Sequence, residues 1–407
     1  MTNLHRDDGF TITELLVSVA VMLLVAGTTL TTFKNALDIN DTAAQLSDAN
    51  QNLRAGSNQL MRDLMMAGRI IANGGVPAPA GTGATPIARP APPGTSLSFA
   101  LVADDDGTLI LPAITSGSQL GPTINGSTTD IVTILTVDQF MPVLKGLGAN
   151  TPGTFDSSMA VIAADGSSLT MLATSPWLVG DTTNDTLPIN VGDIVLFKNT
   201  NGMAAQTVTS KDSTHVYFAQ NDSTNDWFHF NQRNTSFTGT IFCIKAADMC
   251  DVTAVPATSP VPLATANAVW PGTPSNLGAG TAIMRLLMIT YYVDNTTTPG
   301  TPRLTRMVNH FAPQALAGVV EDMDLTYDLI DPTGDNPVQG LTTLPQTING
   351  IGYTSNMIRK VNIHMGVRSE ELSKPTQAYV RNHITTAVGV RSLSSQDRYT
   401  TGANPGS

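Results

Sequence analysis

The chain has 407 residues, Lys+Arg 21 against Asp+Glu 32 for a net charge of −11, and only 13% charged residues. That length accommodates two or three average domains, and 41% hydrophobic residues exclude a globally disordered chain. The acidic balance excludes a basic face that tracks nucleic-acid phosphates, so no direct nucleic-acid partner is expected.

Residues 1–9, MTNLHRDDG, form a polar leader. From Phe10 to Phe33 the chain is apolar, with Glu14 as its one charge, and the run ends at Lys34. As a helix it reaches roughly 36 Å at 1.5 Å per residue, enough to cross hydrocarbon. It is apolar on nearly every face, which predicts a membrane segment rather than a striped soluble helix. Two processing readings compete. Val25 and Gly27 have the residue types for a secretory cut after Gly27, although the apolar stretch is long and Arg6 is opposed by Asp7 and Asp8. The other reading cuts between Gly9 and Phe10. An isolated carboxylate in lipid costs about 2.5–3.5 kcal/mol, so Glu14 calls for a partner or a role. A cut before Phe10 would create an α-amino cation in the same layer. Arg6 before the span and Lys34, Asp38 and Asp41 after it leave the positive-inside count almost tied.

Gly9, then Phe10, with Glu14 fifth after the cut and an apolar run beyond, resembles the prepilin leader of type IV pilins and type II secretion pseudopilins. The matching stretch reads G-F-T-I-T-E-L-L-V-S-V-A-V. The resemblance implies cleavage by prepilin peptidase between Gly9 and Phe10 and methylation of the Phe10 amine. It also implies subunit docking through Glu14 on a neighbour's Phe10. The long C-terminal part then lies outside the cytoplasm, with the helix in the bacterial inner membrane.

Past the span, Ile39, Leu46, Leu53, Leu60 and Ala67 recur at seven-residue spacing, with Ala43 and Leu64 on the same stripe. No proline interrupts before Pro77. The pattern predicts one helix over 10–71, with 10–33 in lipid or filament core and an amphipathic half, 34–72, packed on a globular domain. Gly27, Gly56 and Gly68 are local weak points, each costing about 1 kcal/mol relative to Ala. Residues 73–95 hold six Pro and five Gly, which predicts an exposed loop of polyproline character rather than a core element. A second such loop is expected over 255–280, and a flexible tail over 394–407. Between them, β-like runs open at Leu97, Thr129, Ser168, Gly192, His215, Thr240, Met284, Arg303, Met323 and Val361. One helix followed by many antiparallel-looking strands predicts an α+β fold, with a β-rich globular domain over 96–393.

Several of these blocks resemble the PilW family of minor pilins. They are QLMRDLMMAGR, TDIVTILTV, GDIVLFKNTNGMAAQTVT, the Tyr-Tyr strand through MDLTYDL, and KVNIHMGVRSEEL. The architecture is also similar to J-type minor pseudopilins. The resemblance implies a pilin-like fold and a subunit in or at the tip of a pilus that primes or supports assembly. Its partners would be prepilin peptidase, the inner membrane, and other minor and major pilins through the N-terminal helix. Two further readings remain open: a minor pseudopilin of type II secretion, and a membrane-tethered adhesin or binding protein.

Candidate chemistry elsewhere is thin. Cys243 and Cys250 suit a small-loop disulfide if that segment lies outside the cytoplasm, and two unpaired thiols otherwise. They cannot form a structural zinc site alone, and no clustered histidines join them. Asp104-Asp105-Asp106-Gly107 lacks the alternating spacing of a calcium loop and reads as a solvated turn. The histidines show no ligand spacing, and His229 within DWFHF reads as a half-buried strand histidine. The cluster from Trp227 to Phe230 reads as strand packing, with an aromatic binding surface as the alternative. No nucleophile elbow, phosphate loop or dinucleotide fingerprint occurs. Neither a catalytic residue, a metal nor a cofactor is expected.

Overall fold

The structure is a computed structural model that describes residues 10–71, 75–79, 85–103, 109–145, 159–162, 167–173, 175–178, 187–199, 202–219, 222–232, 282–330, 336–374 and 376–394. Gly9 and the rest of the leader, Asp104 to Gly107, the run from Thr240 with Cys243 and Cys250, the 255–280 loop and the tail beyond Ser394 lie outside the described residues.

One helix, Ile12–Met66, dominates the amino-terminal part. Every residue from Phe10 to Leu37 is exposed, whereas Ala49, Leu53, Gly56, Ser57, Leu60, Asp63 and Leu64 are buried. The seven-residue series therefore holds only in part. Leu53, Leu60 and Ala67 enter the core, but Ile39, Ala43 and Leu46 face outward. The sheet explains the change: its lower end meets the helix where the Thr42 and Ser373 hydroxyls share a hydrogen bond of 3.1 Å. Nothing on the sheet reaches the earlier turns. Each fully buried leucine beyond that point contributes about 1.5–3 kcal/mol.

The helix also stops at Met66 rather than running to Ile71. Thr136 Oγ1 donates to the Met66 carbonyl at 2.9 Å, and Gly68 N–H donates to the Leu135 carbonyl at 2.9 Å. A neighbouring strand thus takes over the helix end, and Gly68 makes the turn at φ 72°. Gly56 has a different use: a Cβ there would lie 2.9 Å from Leu304 Cδ2 and 3.0 Å from Ala317 Cβ. Its missing side chain lets helix and sheet approach closely.

An 11-stranded sheet forms the body of the domain. Its hub is Ala282–Asp294. Along one edge the hub pairs with Ile131–Val137 and Leu144–Lys145. Along the other it pairs with Ile194–Asn199 and then Arg303–Val308. From Arg303–Val308 the sheet continues through Gln314–Ile330 and Ile358–Ser373 to an edge strand, Ala378–Gly389. All these pairings are antiparallel, so the chain combines a long apolar helix with a large antiparallel sheet in an α+β plan. The hub alternates as a strand buried on both faces must. Tyr291 and Val293 pack toward the helix with Leu304, Met323 and Met365, while Met284, Leu286 and Met288 fill a second core behind the sheet.

That second core corrects the reading of 73–95 as an exposed loop. Its described parts contain the short strands Gly75–Pro77 and Ala88–Arg89, with Val76 fully buried and Ile87 and Arg89 nearly so. Isolated apolar residues among the prolines cover the back of the sheet, joined by Phe99 and Leu111. The run from Leu97 divides into Leu97–Ser98 and Val102–Ala103, which join different small sheets. Two long ladder members escaped the sequence pattern, Gly202–Thr207 and the edge strand Ala378–Gly389.

Candidate assembly site on the amino-terminal helix

The helix begins with a capping box. Thr11 has extended backbone, its Oγ1 accepts from Glu14 N–H at 3.3 Å, and Glu14 Oε2 accepts from Thr11 N–H at 3.0 Å. This fixes the Glu14 carboxylate at the helix start, where the backbone dipole favours an anion. Phe10, just before it, is 79% exposed. The spacing Thr11-Ile12-Thr13-Glu14 carries this signal in the sequence, although Glu14 first drew attention only as a lone charge.

Beyond the cap, Leu15, Leu16, Val17, Met22, Leu24 and Phe33 stand exposed around the helix. It is the one described helix long and apolar enough to cross a membrane. Four threonines near the far end of the run are made compatible with lipid by local bonding. The hydroxyls of Thr28 and Thr29 donate to the Val25 carbonyl, that of Thr31 to Gly27 and that of Thr32 to Thr28, at 2.7–2.9 Å. No hydroxyl in that group is left to seek water.

After the apolar run the helix changes charge along its length. Asp41 and Asp48 line a groove of about 450 Å³ together with Gln45, Glu370 and Glu371, and Lys374 lies 3.3 Å from Asp41. Further on, Arg54 and Arg62 are exposed, and Arg62 with Met65 borders a second groove beside Val388 and Gly389. No basic residue lies between Lys34 and Arg54.

Asp63 is the buried exception in this basic half. Its side chain accepts from Tyr291 Oη at 2.6 Å and from Arg306 Nε at 2.7 Å, binding the helix to the hub and to its neighbour strand. Burial and then the Asp63 carboxylate push the Tyr291 phenol well above its ordinary range. For Arg306 burial pulls downward, but Asp63 more than offsets it. Sequence reading missed this triad because Asp63 sits in an ordinary helical block and its partners are more than 200 residues away.

The other candidates resolve into packing. Trp227 stacks on His310 at 3.8 Å with an interplanar angle of 12°, and Phe230 is fully buried. The segment around half-buried His229 is a turn rather than a strand, since the ladder passes it by and its polar groups bond Asp226. On the outer sheet face His364 Nε2 lies 3.6 Å from Asp322, with the His383 ring 5.6 Å away. Beside them Glu321 holds both Arg368 and Arg381, at 2.9 and 2.7 Å. Among the described residues no three His, Cys, Asp or Glu side chains gather to hold a metal ion.

No family model matches the chain, and neither a curated protein nor a solved structure matches it.

Proposed function

We propose that this chain is a membrane-anchored subunit of a type IV pilus-like filament, a PilW-like minor pilin, whose exposed apolar half-helix serves first as anchor and then as filament core. The observation that carries this reading is one continuous helix, bare over Phe10–Leu37 and packed on the sheet from Ala49 onward, that starts at the Gly-Phe and Glu14 pattern. A simple tether needs no carboxylate at its lipid end. A docking helix does, because Glu14 can receive the α-amino group of a staggered neighbour once the leader is cut before Phe10. The charge change along the helix suits a second parallel neighbour at a larger stagger, since the Glu14-to-Phe10 contact needs an offset of only about 6 Å. Arg54 and Arg62 stand about 20 Å further along the axis than Asp41 and Asp48, at 1.5 Å per residue. A parallel neighbour offset by that distance would set its arginines against these carboxylates, a head-to-tail contact that propagates rather than closes.

Glu14→Ala tests the reading. The variant should remain in the membrane fraction at the wild-type level yet be lost from sheared filaments. Wild-type recovery in both fractions, or function without any filament, would instead indicate a tethered adhesin. A pseudopilin of type II secretion shares every residue named here and is separated by whether deletion abolishes pili or protein secretion.

A further inference from the structure

Behind the sheet lies a polar cluster that the assembly reading does not use. Thr115, Thr133 and Thr290 sit directly opposite one another on three adjacent strands, Ile114–Gly117, Ile131–Val137 and Ala282–Asp294. All three are essentially inaccessible, and the Thr133 and Thr290 hydroxyls share a hydrogen bond of 2.9 Å. Over this row lies Arg89, which is 5% exposed. Its Nη1 donates to the Thr115 carbonyl at 3.2 Å and reaches Thr133 Oγ1 at 3.5 Å. Nη2 packs against Gly117, where a Cβ would come within 3.0 Å. Two buried polar atoms of this cluster have no partner, Arg89 Nε and Thr115 Oγ1, and the hydroxyl of buried Tyr327, which interacts electrostatically with Arg89, also has none.

Every acceptor around this guanidinium is neutral, and among the described residues no carboxylate pairs with it. Burial pulls its pKa down to about 10, which still leaves it charged at neutral pH. A buried cation without an anion is among the least favourable arrangements in a protein core. Water at Nε would satisfy a donor but would not neutralise the charge.

We propose that Arg89 and the threonine row bind a small monovalent inorganic anion, a halide, held by Arg89 Nε–H and the Thr115 hydroxyl. Both groups donate, as an anion requires. A tetrahedral polyanion is disfavoured, since two free donors cannot satisfy its several oxygens in a desolvated site. The ion would supply the counter-charge that lets Ala88–Arg89 lie against the sheet, fixing the proline-rich segment in place.

Bromide is the probe. The full chain in detergent is unfolded thermally in sodium bromide or sodium gluconate at equal ionic strength, and crystals grown in bromide are measured at its absorption edge. The expected results are a midpoint that rises with the logarithm of bromide concentration and an anomalous peak in contact with Arg89 Nε. Arg89→Met should lose the bromide dependence. If that variant does not fold, Thr115→Val, which removes one donor at nearly constant shape, should flatten the dependence. A bromide response equal in wild type and Thr115→Val, or a water or a carboxylate of this chain at Arg89 Nε, would overturn the proposal.

Discussion

The two halves of the long helix obey different rules although the backbone runs through both without a break. From Phe10 to Phe33 large side chains point outward in all directions, and the polar groups are a capped carboxylate, Ser18, and threonines of which those at the far end bond to their own helix. From Ala49 to Ala67 one face is buried, a glycine lets helix and sheet approach closely, and a carboxylate is locked between a phenol and a guanidinium. The second half is stabilised by the protein's own sheet. Among the described residues no protein surface covers the first half, which is long and apolar enough to cross a membrane.

Substitutions made in pairs, one in each half, sharpen this contrast. The largest difference is expected for the two carboxylates. Asp63→Leu leaves Arg306 and Tyr291 without their shared acceptor and should lower stability by about 3–5 kcal/mol in equilibrium denaturation of the detergent-solubilised chain. Glu14→Leu should leave the same transition in place. Next come the leucines: Leu60→Ala should cost about 3 kcal/mol through the cavity it opens, and Leu24→Ala less than about 0.5 kcal/mol. Equal losses would mean that the first half is also packed on the domain.

The glycines give a smaller effect. Gly56→Val drives a branched side chain into Leu304 and Ala317 and should destabilise by about 1–3 kcal/mol. At Gly27 no atom lies within 4 Å of where a Cβ would stand, so Gly27→Val should be silent in the same unfolding transition. Smallest are the helix ends, worth about 1 kcal/mol each. Thr11→Ala should speed amide exchange only in the first turn, and Thr136→Val only in the last.

The sequence made the apolar span, the second half of the heptad and most sheet strands visible, because each depends on a local pattern that its own neighbours complete. Ile131–Val137 is a β-branched, mostly apolar run broken only by Thr133 and Thr136, and it is buried at every position. Elsewhere the deciding partner is distant. Met66 ends the helix because Thr136 and Leu135 reach it, and Ile39 falls outside the core because the sheet stops near Ser373. Val76 and Ile87 look like loop residues among prolines until the back of the sheet is there to receive them. The edge strand Ala378–Gly389 alternates Arg381, His383 and Thr385 with half-buried residues, so its period is present without an apolar run to announce it. At the candidate assembly site the sequence carried Phe10, Glu14 and, in Thr11, the cap; the Asp63 triad needed the fold.

We propose that the bare half-helix is a processed assembly element. Mass spectrometry of the mature amino terminus, from membranes and from sheared filaments, tests it most directly. The expected chain begins at N-methylated Phe10 in both fractions. A chain beginning at Thr28, or one retaining Met1, would contradict it.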